Sequence, residues 1–181
     1  MLKFFANRSL DEFFRRYGYD VSYMRHMLNV SPSAFFKFAK VMDLARHNES
    51  VPKEALYAAK IVGAVAEDCG PCAQLAVDMA LEAGVASAQI EAVLKRAPAE
   101  MNEDAALGFC FADAIVHRLP SADEARESVR AQWGDAGVID LTLAAQIGRV
   151  FPMVKTALGF GKTCQKVTID DGSVDVIKSA A

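Results

Sequence analysis

The chain offers no run of about 18 uninterrupted apolar residues, no basic run and few cysteines, and each shortage removes a class of protein. Without the apolar run a membrane span is not expected. The opening Met1-Leu2-Lys3-Phe4-Phe5 meets Asn7, Arg8, Asp11 and Glu12 too soon to serve as a secretory signal, so the expected address is cytoplasmic. Four cysteines in 181 residues are too few for a disulfide scaffold. In a reducing compartment, a close pair among them points to catalysis or metal binding. No dinucleotide fingerprint, Ser-His-Asp set, paired carboxylates or internal repeat is present, so no cofactor is expected. Gly159-Phe160-Gly161-Lys162-Thr163 carries the tail of a phosphate loop but lacks its first glycine and a preceding strand. That stretch reads as a helix end.

What is present is a hydrophobic, mildly acidic chain: 52% hydrophobic residues, a formal charge of -3 and a pI near 5.6. These values fit a single globular domain with an extension. Residues 1–40 hold seven Lys/Arg against three Asp/Glu and ten of the sixteen aromatics, leaving about -7 on the remainder. Phe4, Phe5, Phe13, Phe14, Tyr17, Tyr19 and Tyr23 therefore mark a helical arm that packs on the body or on a second subunit. Arg15, Arg16 and Arg25 are too few for a polybasic face, so no nucleic acid is expected as a partner.

From Ser31 onward the spacing predicts helices separated by well-signalled turns. Ser31-Pro32 caps and opens a segment to about His47. Ser50 and Pro52 start a helix through Val65 and Ala66. Another runs from Pro71 to about Ala83 and stops at Gly84, and a short one spans about Ala88 to Arg96. Asn102 caps a helix that ends before Pro120. Ser121-Ala122-Asp123-Glu124 has the form of a capping box. After Gly134 the helical pattern continues from Ala136 to about Lys166, with a kink expected at Pro152. The tail, with Val167-Thr168-Ile169 and Val174-Asp175-Val176-Ile177 around Asp170-Asp171-Gly172, predicts a hairpin. The expected fold class is all-α, divided into an arm over 1–50, a core over 51–166 and a C-terminal tail over 167–181.

Chemistry concentrates in Cys69-Gly70-Pro71-Cys72. With Pro71 opening a helix, Cys72 lies in the first turn, where unpaired N–H groups and the positive helix end favour a thiolate. Cys72 is then the better nucleophile, and Cys69 can close a disulfide on a Cys72 sulfenic acid. A thioredoxin fold would also carry this motif, but it needs strands alternating with helices, and the sequence after Cys72 is dominated by Ala, Leu and Glu. Zinc would need four close ligands, and beyond this one CxxC only scattered groups such as His117 and Cys164 remain. His26, His47 and His117 read as exposed or helix-end residues, and Cys110, between Phe109 and Phe111, reads as core. A structural pair of buried cysteines is the plain alternative.

From about Pro52 to Lys162 the chain resembles the carboxymuconolactone decarboxylase / alkylhydroperoxidase D superfamily. Pro52-Lys53-Glu54-Ala55-Leu56 through the CxxC, Ala83-Gly84-Val85 with Gln89-Ile90-Glu91-Ala92-Val93, and the stretches Ala105–Ala114 and Val138–Ala145 carry the resemblance. It implies a helical, homo-oligomeric fold and a peroxidase in antioxidant defence. Cys72 would attack a small peroxide, Cys69 would resolve, and a dithiol partner would restore the pair. The superfamily's decarboxylase branch does not rest on CxxC chemistry. The family's proton relay has a histidine four residues after the second cysteine and a glutamate twelve before the first, and here those positions are Ala76 and Tyr57. Of the substitutes Glu54, Glu67 and Gln74, Glu67 is the candidate put forward as a third catalytic residue. The competing expectation is a helical oligomeric scaffold or binding module that retains the dithiol without turnover.

Overall fold

The computed structural model describes residues 2–161, 166–170 and 172–178. In chain order the helices are α1 (Leu2–Tyr17), α2 (Ser22–Val30), α3 (Pro32–Ala39), α4 (Val41–Leu44), α5 (Lys53–Ala66), α6 (Gly70–Glu82), α7 (Ser87–Leu94), α8 (Glu103–Val116) and α9 (Ala122–Ala157). Strands β1 (Lys166–Ile169) and β2 (Gly172–Asp175) pair antiparallel, with Val167 opposite Val174. The all-α expectation with a C-terminal hairpin is what the structure shows.

Helix α5 is central because its sequence is apolar on nearly every side. Ala55, Leu56, Ala58, Ala59, Ile61 and Val62 are all buried, and α8, α9 and α6 pack around them. Small residues permit the closeness. A Cβ on Gly63 would meet the Ala145 carbonyl, and one on Gly148 would meet the Lys60 carbonyl. Helices α5 and α9 therefore cross almost backbone to backbone. The hairpin closes one side of this core with Val167, Ile169 and Val174 buried in it. Gln74 fastens the hairpin to α6: its amide accepts from the Thr168 N–H at 2.8 Å and donates to the Thr168 carbonyl at 3.0 Å.

Most turn signals act as the sequence implies. The Ser31 hydroxyl accepts from the Ala34 N–H, and Asn102 Oδ1 accepts from the Ala105 N–H at 2.8 Å. Gly84 takes φ +78°, which a Cβ would resist. Four local expectations need correction. The helix opened by Ser31 breaks at Lys40, so the segment to His47 is α3 followed by the short α4. Ser121 makes no capping hydrogen bond, because its own backbone already turns towards the helix at φ -75°, ψ 2°. The boundary expected at Gly134 is present within α9 (φ +68°), but Pro152, where a kink is expected, keeps helical dihedrals. That helix ends at Ala157, where Gly159 (φ +80°) lets Phe160 donate back to the Lys155 carbonyl at 3.0 Å. The expectation at Cys164 lies outside the described residues.

By length and composition α9 is apolar enough to cross a membrane. Its apolar side is spent on α5 and α8, and it carries the buried Asp140. Burial pushes the Asp140 carboxyl up, but bonds from the Ser50, Glu49 and Val51 N–H groups and the Ser50 hydroxyl outweigh this and hold it below the usual range. One carboxylate thus anchors the loop that launches α5. His47 Nε2 lies 3.2 Å from its other oxygen, so His47 faces a buried carboxylate rather than only a helix end.

A second, smaller core forms where the aromatic arm lies on the body. Leu10, Tyr19, Val21, Tyr23, Met24, Leu28 and Phe35 are buried there, and the remaining buried members are Cys69 and Cys72. The arm packs over the dithiol.

Candidate functional site

Local sequence places the two sulfurs. Cys69 is extended (φ -110°, ψ 96°) and its carbonyl accepts from the N–H groups of Cys72 and Ala73 at 3.0 and 2.9 Å, so α6 begins immediately after it. Gly70 and Pro71 fill the first turn, where a missing N–H costs nothing. The turn brings the two Cα atoms to 5.2 Å, and Cys69 and Cys72 are joined as a disulfide. Both residues are buried, at 2% and 6% exposure.

Cys72 opens onto a cavity of about 100 Å³ bounded by the arm, α5, α6 and α9. Its walls are mostly apolar, with Phe13, Met24, Leu75, Met79, Ile147 and Phe151 among them. Four polar side chains interrupt them: Tyr19, Tyr23, Tyr57 and Lys60.

Tyr19 Oη lies 3.5 Å from Cys72 Sγ. A disulfide sulfur has no hydrogen to give, so the phenol donates. Burial pushes the Tyr19 phenol up to about 12, which keeps that hydrogen in place at neutral pH. Tyr19 is held from below by Lys155, a fully buried lysine whose ammonium sits 4.4 Å from the Tyr19 ring centroid and 5.7 Å from that of Tyr23. Lys155 also donates to the Asp20 carbonyl at 3.3 Å. Phe13 meets Tyr19 edge to face at 5.9 Å. Further along α6, the Tyr17 hydroxyl donates to Glu82 at 2.5 Å and Arg16 pairs with the same carboxylate, fixing α1.

Lys60 Nζ donates to the Ala45 carbonyl at 2.9 Å and sits 4.7 Å from the Tyr57 ring centroid. Burial pulls its ammonium down to about 8. Tyr57 is half-buried, and burial followed by the Glu82 charge raises its phenol above the ordinary tyrosine range.

Tyr57 and Ala76 both line this cavity with Cys72. Glu67 does not line it: its carboxylate accepts from Arg149 Nε at 2.6 Å at the C-terminal end of α5. Gln74 serves the hairpin, and Glu54 stands in the first turn of α5. Cys110 is exposed, contrary to the core reading, because Phe109 and Phe111 take the two inward directions and the residue between them points away. His117 Nδ1 lies 2.8 Å from Asp113, which Arg96 also pairs at 2.7 Å, and the His26 ring lies tilted against Phe160 with centroids 5.6 Å apart. Among the described residues, no group of three or more His, Cys, Asp or Glu side chains could hold a metal ion.

Sequence reasoning missed Tyr19, Lys60 and Lys155. Tyr19 stood among seven arm aromatics with nothing to single it out. Lys60 did leave a signal, as a lone charge between Ala59 and Ile61 on a helix otherwise built for burial.

No protein-family model, curated protein or solved structure matches the chain.

Proposed function

We propose that the protein is a dithiol oxidoreductase of the alkylhydroperoxidase D kind, reducing a small peroxide at Cys72 in antioxidant defence. The observation that supports this reading is a Cys69–Cys72 disulfide at the head of α6 whose Cys72 sulfur faces both a cavity and a phenolic donor. In the reduced protein the Cys72 thiolate attacks the distal oxygen of ROOH. An S–O bond forms as the O–O bond breaks, sulfur is oxidised by two electrons, and the leaving RO⁻ takes a proton from Tyr19 to leave as ROH. Tyr19 is reprotonated from solvent. The Cys69 thiolate then attacks Cys72–SOH, forming the disulfide as hydroxide leaves and becomes water, and a partner dithiol later reduces the bond. Tyr19 thereby takes the proton-donating role that Ala76 cannot fill, while Glu67 stays paired with Arg149.

A Cys72→Ser protein is expected to lose peroxide consumption. Cys69→Ser should retain one turnover, accumulating a sulfenic acid at Cys72 that a dimedone-type reagent traps. Consumption by Cys72→Ser at the wild-type rate overturns the reading.

Burial of both sulfurs favours one second reading, a helical scaffold or binding module in which the disulfide only staples the start of α6. A disulfide that resists dithiothreitol in the folded protein would select it.

A further inference from the structure

Among the described residues Lys60 is a partly buried cation without a countercharge. Among the described residues its ammonium meets the Ala45 carbonyl and the Tyr57 ring, and no carboxylate pairs with it. Nearby carboxylates are engaged elsewhere: Asp43 faces Arg46 on the α4 side, and Asp140 holds the 49–51 backbone. On α6, Asp78 accepts from Gln74 and Glu82 takes Arg16 and Tyr17, while Glu67 takes Arg149. The other charges that α9 brings to this side are the cations Arg149 and Lys155. Within the cavity Tyr19, Tyr23 and Tyr57 are neutral phenols and Cys72 is disulfide-bonded. A buried charge is ordinarily paired. Here the side open to the cavity is where a partner can come.

We propose that this cavity binds a small monoanionic acid, its carboxylate on Lys60 and its apolar body against Leu75, Met79, Ile147 and Phe151, beside the Cys72 sulfur. A charge-assisted hydrogen bond supplies the missing countercharge, and the apolar walls select against heavily hydrated anions. The cavity is about 100 Å³. A cavity of about 150 Å³ accepts the six carbons of benzene, so about 100 Å³ takes about four heavy atoms, enough for the four carbons of butanoate with its carboxylate oxygens at the cavity's edge on Lys60. The inference concerns the oxidised protein and does not depend on turnover. If the peroxidase reading holds, it also names the substrate class as a peroxide bearing an acid group.

The test is calorimetric titration of the oxidised, full-length protein with butanoate, and with butan-1-ol as the neutral control. Burial places the Lys60 ammonium at about 8 and the Tyr19 phenol at about 12, so Lys60 is the cavity group that titrates between pH 6.5 and 9.5. Butanoate is expected to bind saturably at pH 6.5 and about thirtyfold more weakly at pH 9.5, at a tenfold loss per pH unit above 8. Butan-1-ol should bind at least about tenfold more weakly than butanoate at pH 6.5. Lys60→Met should abolish butanoate binding, and Lys60→Arg should retain it at pH 9.5. Ala64→Leu, which fills the cavity without touching the charge, should also abolish it. Absence of butanoate binding at pH 6.5, equal affinity at the two pH values, or undiminished binding by a folded Lys60→Met overturns the proposal. Should Lys60→Met fail to fold, the wild-type pH series and Ala64→Leu still decide. Peroxide-driven loss of Cys72 alkylation, measured separately on the reduced protein, reports the peroxidase reading whatever the titration shows.

Discussion

Tyr19 acts through one oxygen atom. In the oxidised protein its phenol donates to Cys72 Sγ, and with the disulfide reduced and the charge on Cys72, as the proposed function requires, the same donor would face the thiolate. Hydrogen bonds to an ionised group contribute more than those between neutral partners, about 1.5–3 kcal/mol against about 1. The thiolate therefore gains over the thiol, adding to the favourable field at the start of α6. Tyr19→Phe removes the donor and keeps the ring on Phe13 and over Lys155. It should raise the pKa of reduced Cys72 by about one unit, the equivalent of about 1.4 kcal/mol. The measurement is the pH dependence of iodoacetamide alkylation at Cys72, read by mass spectrometry. A profile identical to wild type would show that the contact is packing alone. The same substitution should slow sulfenate formation at neutral pH, because both the thiolate fraction and the proton for the leaving oxygen are lost.

At the scale of elements, the close crossing of α5 and α9 forms one side of the cavity, since Lys60, Ala64 and Gly148 belong to both. Gly63 and Gly148 make the close crossing, and Gly148 is also part of the cavity wall. Gly148→Ala would drive a methyl group into the Lys60 carbonyl, and backbone has no rotamer with which to move aside. It should destabilise the fold by about 1–3 kcal/mol, offset in part by the better helix propensity of alanine. Urea denaturation followed by circular dichroism checks this, and a midpoint at or above the wild-type value would contradict it. Signals that act within one helical turn were legible in the sequence: Ser31, Asn102 and Gly84 end or start helices through bonds to residues three to five positions away. Cys69-Gly70-Pro71-Cys72 belongs to the same class, since a first helical turn is enough to bring its sulfurs together. The end of α9 was misplaced because apolar spacing continues past Ala157 while the glycine at 159 turns the backbone. Tyr19 and Lys155 were illegible for a different reason. Their contacts span 53 residues to Cys72 and 135 residues to Asp20, distances over which periodicity carries no information.

At the scale of the molecule, the arm and the body meet over the disulfide, so access to the sulfurs depends on how firmly the arm is held. Thiol–disulfide exchange needs a thiolate in line with the S–S bond, and neither sulfur-bearing residue is more than 6% exposed. Reduction is therefore expected to follow opening of the segment around Tyr19, a local unfolding step whose population would set the observed rate. Lys155 fastens that segment from α9, through the faces of Tyr19 and Tyr23 and the Asp20 carbonyl. Lys155→Met keeps most of the volume and removes the charge that makes these contacts. A cation over an aromatic ring in a desolvated setting contributes about 2 kcal/mol. The open population, and with it the rate of disulfide reduction by dithiothreitol, should rise about tenfold or more, since about 1.4 kcal/mol is a factor of ten. The rate is read by thiol-specific mass tagging over time in the native protein. Leu28→Ala weakens the same arm while keeping the Lys155 charge and the Tyr19 phenol, and Leu28 is buried in the arm core but absent from the cavity wall. It should accelerate reduction in the same direction. If both variants reduce at the wild-type rate, the arm is no barrier and the sulfurs are reached from the Cys69 side. If only Lys155→Met accelerates, the charge acts on the sulfur through Tyr19 rather than by holding the arm down.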